Sequence, residues 1–285
     1  MEHIAQLGGI VTGFSITKQC IDCMCGRNLV KIDKYSGDII FQKTVFEKEG
    51  LSRKLTADDE QIFIYDFCTL YAICQKDYEL LGKWQLGNDL SSDICGIAVD
   101  KDFVYCSVRN GKIITLDRQS YLMKEFNACQ NSMWSIQPYG SYLICGTVDG
   151  KLLILDKSTL SVEKILVLSK KNIGSLYIDG ESLYAASHDG KLFKISVKNF
   201  EIEASIKNAH KKMFVCAGIC GDMLATVSYP CSEIALWNKD TLKPLKVIST
   251  PLQLSGCAYI ENNFLYISSR NISGIDRIML NKRKI

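Results

Sequence analysis

The sequence has no run of apolar residues approaching the roughly 18 that a bilayer-spanning helix requires, although 47% of its 285 residues are hydrophobic. It also lacks a dominant charge. With 34 Lys and Arg against 31 Asp and Glu, the formal net charge is only +3, too nearly balanced to point to nucleic acid or an anionic membrane as a partner. Near the start, Glu2 and His3 stand where a secretory signal would carry Lys or Arg, and no small-residue cleavage site follows an apolar block. The expectation is a chain that is not exported. Histidine is scarce: His3, His188 and His210 are in no spacing that suits a metal triad. There is no Gly-x-Ser-x-Gly elbow, no phosphate loop and no pair of carboxylates in a common loop. His188-Asp189 could be drawn as a base with its orienter, but Asp189-Gly190 is already explained as a tight turn. These absences argue against an enzyme, and neither a catalytic residue nor a cofactor is assigned.

Cysteine, by contrast, is abundant. The count of 13 is odd, so at least one thiol has no partner within the chain. Most sit inside strand patterns (Cys95, Cys106, Cys145, Cys216, Cys257) as small hydrophobes, a usage that fits a reducing, cytoplasmic home. The one local cluster is Cys20-Ile21-Asp22-Cys23-Met24-Cys25. In a strand, Cys23 and Cys25 face one side, while Asp22 and Cys20 face the other. Structural zinc is held by two Cys-x-x-Cys pairs arranged in turns. Here a single pair falls where a strand is expected, and no metal is assigned. The basic tail Asn281–Ile285 is read as solubilising.

The chain is organised by repetition. Ser141 to Gly180 reads as four short strands: Tyr142 to Thr147, Lys151 to Leu155, Val162 to Leu168 and Ile173 to Ile178. Asp149-Gly150 is a tight-turn pair tolerant of positive φ, and Asp156-Lys157-Ser158-Thr159 can bond its side chains to nearby backbone N–H groups. Units of about 40 residues recur near 20–60, 61–101, 102–140, 141–180, 181–221 and 222–262. Residues 263–285 supply two further strands, and residues 1–19 supply the complementary two, Ile4 to Gly8 and VTGFSIT. Six units and a split seventh predict an all-β, seven-bladed propeller of four-stranded antiparallel blades, one domain over 1–285, whose last blade joins N- and C-terminal strands and so removes two raw sheet edges.

The sixth unit resembles the WD40 family. His210 stands ahead of the inner strand, Ser228 lies on the second strand, and Trp237-Asn238 takes the place of the family's Trp-Asp. The Asp expected at the second turn is replaced by Tyr229-Pro230-Cys231-Ser232. Elsewhere the repeats are similar to the broader group of WD40-like and quinoprotein-like propellers, whose units end in an Asp-x-x-Thr-Gly turn. Asp33-Lys34-Tyr35-Ser36-Gly37 is the nearest form of that turn.

The resemblance implies partner binding on the face that carries the loops into each inner strand and the turns between second and third strands. On this chain those positions are Arg27, Arg53, Lys54, Phe67, Arg109, Trp134, His188, Phe214 and Tyr229, with Asp93, His210 and Lys211 nearby. Arg and aromatic residues are the usual composition of interaction hot spots. The expected function is a non-catalytic, cytoplasmic scaffold or adaptor for a protein or peptide, a monomeric propeller within a complex. The alternative is an enzyme or small-ligand binder using the central channel, which should concentrate titratable groups there. The aligned inner-strand residues Phe14, Leu55, Gly96, Ser135, Ser175, Cys216 and Cys257 include no carboxylate or basic side chain, which favours the scaffold.

Overall fold

The computed structural model describes residues 1–47, 54–229, 231–269 and 273–280, with the backbone alone at 255 and 256. Arg53, Pro230 and the basic tail lie outside the described residues. Apolar runs of about six residues, punctuated by Asx and Gly turns, become short strands. They pair into seven four-stranded antiparallel sheets. Blade 1 holds Val11–Ile16, Cys20–Cys25, Asn28–Asp33 and Ile39–Thr44, and blade 2 holds Lys54–Ala57, Gln61–Asp66, Thr69–Cys74 and Leu80–Gln85. Blade 3 holds Ile94–Val99, Phe103–Val108, Lys112–Asp117 and Met123–Asn127. Blade 4 runs through Met133–Tyr139, Tyr142–Thr147, Lys151–Asp156 and Val162–Val167, and blade 5 through Ile173–Asp179, Ser182–Ser187, Leu192–Ser196 and Ile202–Ile206. Blade 6 has Val215–Cys220, Met223–Ser228, Glu233–Asn238 and Pro244–Ser249. Blade 7 has Leu254–Glu261, Phe264–Ser269 and Gly274–Met279, with Glu2–Gln6 as its outer strand. The fold is the expected seven-bladed β-propeller.

Each sequence unit begins on a second strand and ends on the inner strand of the next blade, so repeat and blade are out of step by one strand. That offset corrects one detail of the closure. The N-terminal segment gives blade 7 only Glu2–Gln6, and Val11–Ile16 is the inner strand of blade 1. The middle strands are buried on both faces, as Tyr142–Thr147 and Lys151–Asp156 show, while outer strands such as Val162–Val167 are mostly exposed. Burial on both sides is why the middle strands read as continuous apolar runs rather than alternating ones.

The chain divides into two compact units, Met1–Trp84 with Ala217–Ile285, and Gln85–Cys216. In the first, Asp22 is wholly buried and accepts from Tyr78 Oη and, at 2.7 Å, from Gln75 Nε2. Burial pushes its carboxyl up against the lowering pull of those two donors. Lys34, 1% exposed, places Nζ 2.7 Å from both Glu261 carboxylate oxygens and 3.0 Å from Thr17 O, joining blades 1 and 7. The N-terminal strand is held to blade 7 by His3 Nδ1 with Asp276 Oδ1 at 3.0 Å and Arg277 Nε donating to Glu2 Oε2 at 2.7 Å. In the second unit, Lys157 Nζ pairs with Asp100 Oδ2 at 2.7 Å, and Arg118 Nη1 donates to Asp100 O at 2.8 Å. Both side chains therefore help hold the turns on the face opposite the expected partner site.

Four of the turns between third and fourth strands share one construction, while blades 2 and 5 have Cys74 and Ser196 in place of the Asx residue. Asp33, Asp117, Asp156 and Asn238 each accept two following backbone N–H groups on Oδ1. The residue four places on takes a left-handed conformation. It is glycine only in blade 1, where a Cβ on Gly37 would meet Ile4 O at 2.1 Å. In blades 2 to 6 it is Tyr78, Tyr121, Leu160, Phe200 and Leu242, with φ between +54 and +60. All but Tyr121 are buried. A left-handed L-residue costs about 1–2 kcal/mol, and burying a side chain of this size contributes about 1.5–3 kcal/mol, so the burial offsets the strain.

Candidate interaction surface

In the second unit the turns Asn110-Gly111-Lys112, Asp149-Gly150-Lys151 and Asp189-Gly190-Lys191 carry glycine at φ +83, +85 and +85. The loop leaving the fourth strand of the same blade lies over each turn. Cys129, Ser169 and Ala209 donate their N–H to the carbonyls of Gly111, Gly150 and Gly190 at 3.2, 3.1 and 2.8 Å. A Cβ on those glycines would meet Cys129 O, Ser169 O and His210 O at 2.2, 2.3 and 2.0 Å. Glycine is thus required twice, for the backbone conformation and for the close approach of the loop. Buried hydroxyls add to this: Ser107 Oγ donates to Met133 O at 2.9 Å, Ser187 Oγ to Lys171 O at 3.3 Å, and Thr147 Oγ1 to Asp149 Oδ1 at 2.6 Å.

Each inner strand of this unit has a register irregularity near its start, at Cys95, Trp134 and Gly174. A bulge re-aims the side chain of the extra residue. In blade 4 that residue is Trp134, 42% exposed. In blade 5 it is Gly174, where a Cβ would meet His188 Nε2 at 2.3 Å. The missing side chain therefore makes room for the imidazole. Trp134 and His188 lie edge to face, ring centroids 6.3 Å apart at 79°. His188 N donates to Asn172 O at 2.8 Å, and Asn172 Nδ2 stands 3.5 Å from His188 Nδ1. Arg109 is half exposed, with Nη2 3.0 Å from Asp93 Oδ2. Trp134, His188 and Arg109 were all expected on this face. Phe214 was too, but it is 1% exposed and packs on buried His210 at 4.7 Å between ring centroids, so neither ring is presented to a partner.

In the first unit Arg27 is exposed and donates Nη1 to Glu47 O at 3.0 Å, while Lys54 is exposed and Tyr229 half-buried. Phe67 is 52% exposed at φ +53, a strained conformation for a bulky residue that burial does not offset. The indole of Trp237 donates to Thr226 Oγ1 at 2.8 Å, two residues before the Ser228 that the WD40 resemblance picks out. Sequence spacing alone could not separate two hydroxyls on the same side of one strand.

None of the thirteen cysteines is in a disulfide, and Cys20, Cys23 and Cys25 lie buried in one strand. Burial pushes the Cys23 thiol well up, and Cys106 and Cys216 to about 12, so these are protonated thiols at neutral pH. Among the described residues no group of three or more His, Cys, Asp and Glu is placed to hold a metal ion.

No family model matches the sequence, and no curated protein matches it. Solved structures do match. The β-propeller domain of Cps50 (Swd1) from Myceliophteria thermophila superposes with a TM-score of 0.83 at 12% identity, over 96% of this chain and 98% of that one. A computationally designed protein, Ika8, superposes with a TM-score of 0.73, also at 12% identity, over 98% and 100%. At such identity the likeness is one of architecture: the chain has the WD40-like, seven-bladed β-propeller fold.

Proposed function

We propose that the chain is a non-catalytic, intracellular interaction module, a single monomeric propeller domain that holds a protein or peptide partner on the loops leading into its inner strands. The observation that carries this is Trp134. It is a large aromatic side chain left 42% exposed on a bulge, edge-on to an imidazole seated where Gly174 has no side chain. An exposed tryptophan contributes little to packing and much to an interface core. Half-exposed Arg109 on the same face adds the other residue type enriched in hot spots.

The test is to capture partners with the full chain from its native cell and titrate the recovered partner against variants. Trp134→Ala is expected to weaken binding by about 2 kcal/mol or more, close to thirtyfold. Lys198→Ala, which removes only the exposed pair with Glu181, is expected to leave binding unchanged. Equal affinity for wild type and Trp134→Ala would contradict the reading.

A further inference from the structure

The whole chain carries a formal net charge of +3, yet three short segments of the second unit, 168–172, 187–191 and 207–214, hold six lysines against one aspartate. The fold brings these segments together. The turn at 187–191 lies between the two loops: His188 N donates to Asn172 O at 2.8 Å and Ser187 Oγ to Lys171 O at 3.3 Å on one side, and Ala209 N donates to Gly190 O at 2.8 Å on the other. The single carboxylate, Asp189, is already engaged by Lys191 Nζ at 2.7 Å and Ser169 Oγ at 2.9 Å. Lys170, Lys171, Lys207, Lys211 and Lys212 are all exposed, and none has a carboxylate partner among the described residues. Elsewhere in the unit, Arg109 pairs with Asp93, Lys151 with Asp149 and Lys157 with Asp100. A patch of uncompensated cations on a chain of balanced charge is a local feature, and it adjoins the His188–Trp134 pair.

Building on the function proposed above, we infer that this patch binds an acidic, extended peptide segment of a protein partner. Its carboxylates would meet the five lysines, and an apolar side chain would lie against Trp134. Like-charge repulsion among the lysines is relieved when an anionic segment arrives, which is electrostatic complementarity with a defined sign. Single-stranded nucleic acid is the other polyanion to consider. Its binding without sequence preference uses successive stacking platforms, and within these segments and the adjoining bulge only Trp134 presents an exposed aromatic ring.

The test uses the full chain and three fluorescently labelled probes: a Glu- and Asp-rich peptide with one central Phe, the same peptide with every acid changed to the amide, and a single-stranded RNA of similar length. The acidic peptide is expected to bind, to weaken as ionic strength rises, and to lose about tenfold or more in affinity in the K170E/K171E/K211E/K212E variant. K101E/K198E, at exposed turns of the same unit on the opposite face, is expected to change it little. Because charge reversal could perturb the fold, the Lys→Gln version of the fourfold variant is measured too, with its melting temperature, and is expected to weaken the acidic peptide in the same direction. Equal binding of the acid and amide peptides, undiminished binding by both fourfold variants, or binding of RNA without the peptide would each overturn the inference. If a natural partner still depends on Trp134 while the acidic peptide fails, the interaction surface stands and only its acidic specificity is wrong.

Discussion

At the level of single residues, the buried and the turn carboxylates respond to pH in opposite senses. Asp22 is buried between two donors, and its carboxyl is pushed up by that burial. A raised folded value means the carboxyl's contribution is fully present below its ordinary value of 3.8 and is lost as pH rises through the folded value. The stability of wild type relative to Asp22→Asn is therefore expected to fall as pH rises above about 4, read by urea midpoints across pH. Tyr78→Phe removes a donor from the buried carboxylate and should cost about 1–3 kcal/mol near neutrality; an unchanged urea midpoint would show that the Tyr78 hydroxyl is dispensable. Asp156 goes the other way. The hydroxyls and N–H groups of Ser158 and Thr159 lower it to about 2, so its contribution is present above 3.8 and lost as pH falls toward 2. Asn238 builds the same turn in blade 6. Asp156→Asn should thus keep the turn while removing that acid dependence, seen as a flatter midpoint between the two pH values. The Asp156 turn was legible in the sequence because Asx side chains bond locally. Asp22 was not, because its partners Gln75 and Tyr78 lie more than fifty residues away.

At the level of the element, strand positions were readable because Asp-Gly and Asn-Gly pairs fix where a hairpin turns, and Gly111, Gly150 and Gly190 do adopt positive φ there. The Asp-x-x-Thr-Gly turn was readable only in blade 1. In the other blades a large residue stands in the glycine's place, and nothing local says that Leu160 or Phe200 will accept φ near +55; the tertiary core decides it. Substitution separates strain from burial. Leu160→Gly relieves strain but empties a core position among Leu143, Leu153 and Leu155. It should destabilise by about 1–3 kcal/mol net, since losing a buried leucine costs more than the left-handed conformation returns. Tyr121→Gly, at a half-buried position, should be close to neutral. Similar losses for both would mean that burial does not compensate the turn. The bulges at Cys95, Trp134 and Gly174 had no local signature either, so the exposure of Trp134 was not legible in the sequence.

At the level of the whole molecule, the seven-blade count was legible because half-units at the two ends complement each other. What the sequence did not show is that those strands are shared between two sheets. Deleting residues 1–16 would remove the outer strand of blade 7 and the inner strand of blade 1, including buried Val11 and Phe14 and the pairs His3–Asp276 and Glu2–Arg277. Exposed edges on both sheets should lead to aggregation or loss of cooperative unfolding in calorimetry, and a cooperative transition near the full-length temperature would contradict the shared closure. Where the molecule binds is read by hydrogen exchange on the full chain, free and saturated with its captured partner. Binding on the loops into the inner strands is expected to slow exchange across 168–172, 187–191 and 207–212 and around Trp134, with the turns at 118–122 and 157–161 unchanged; protection confined to those opposite turns, or to the exposed outer strands, would contradict that placement.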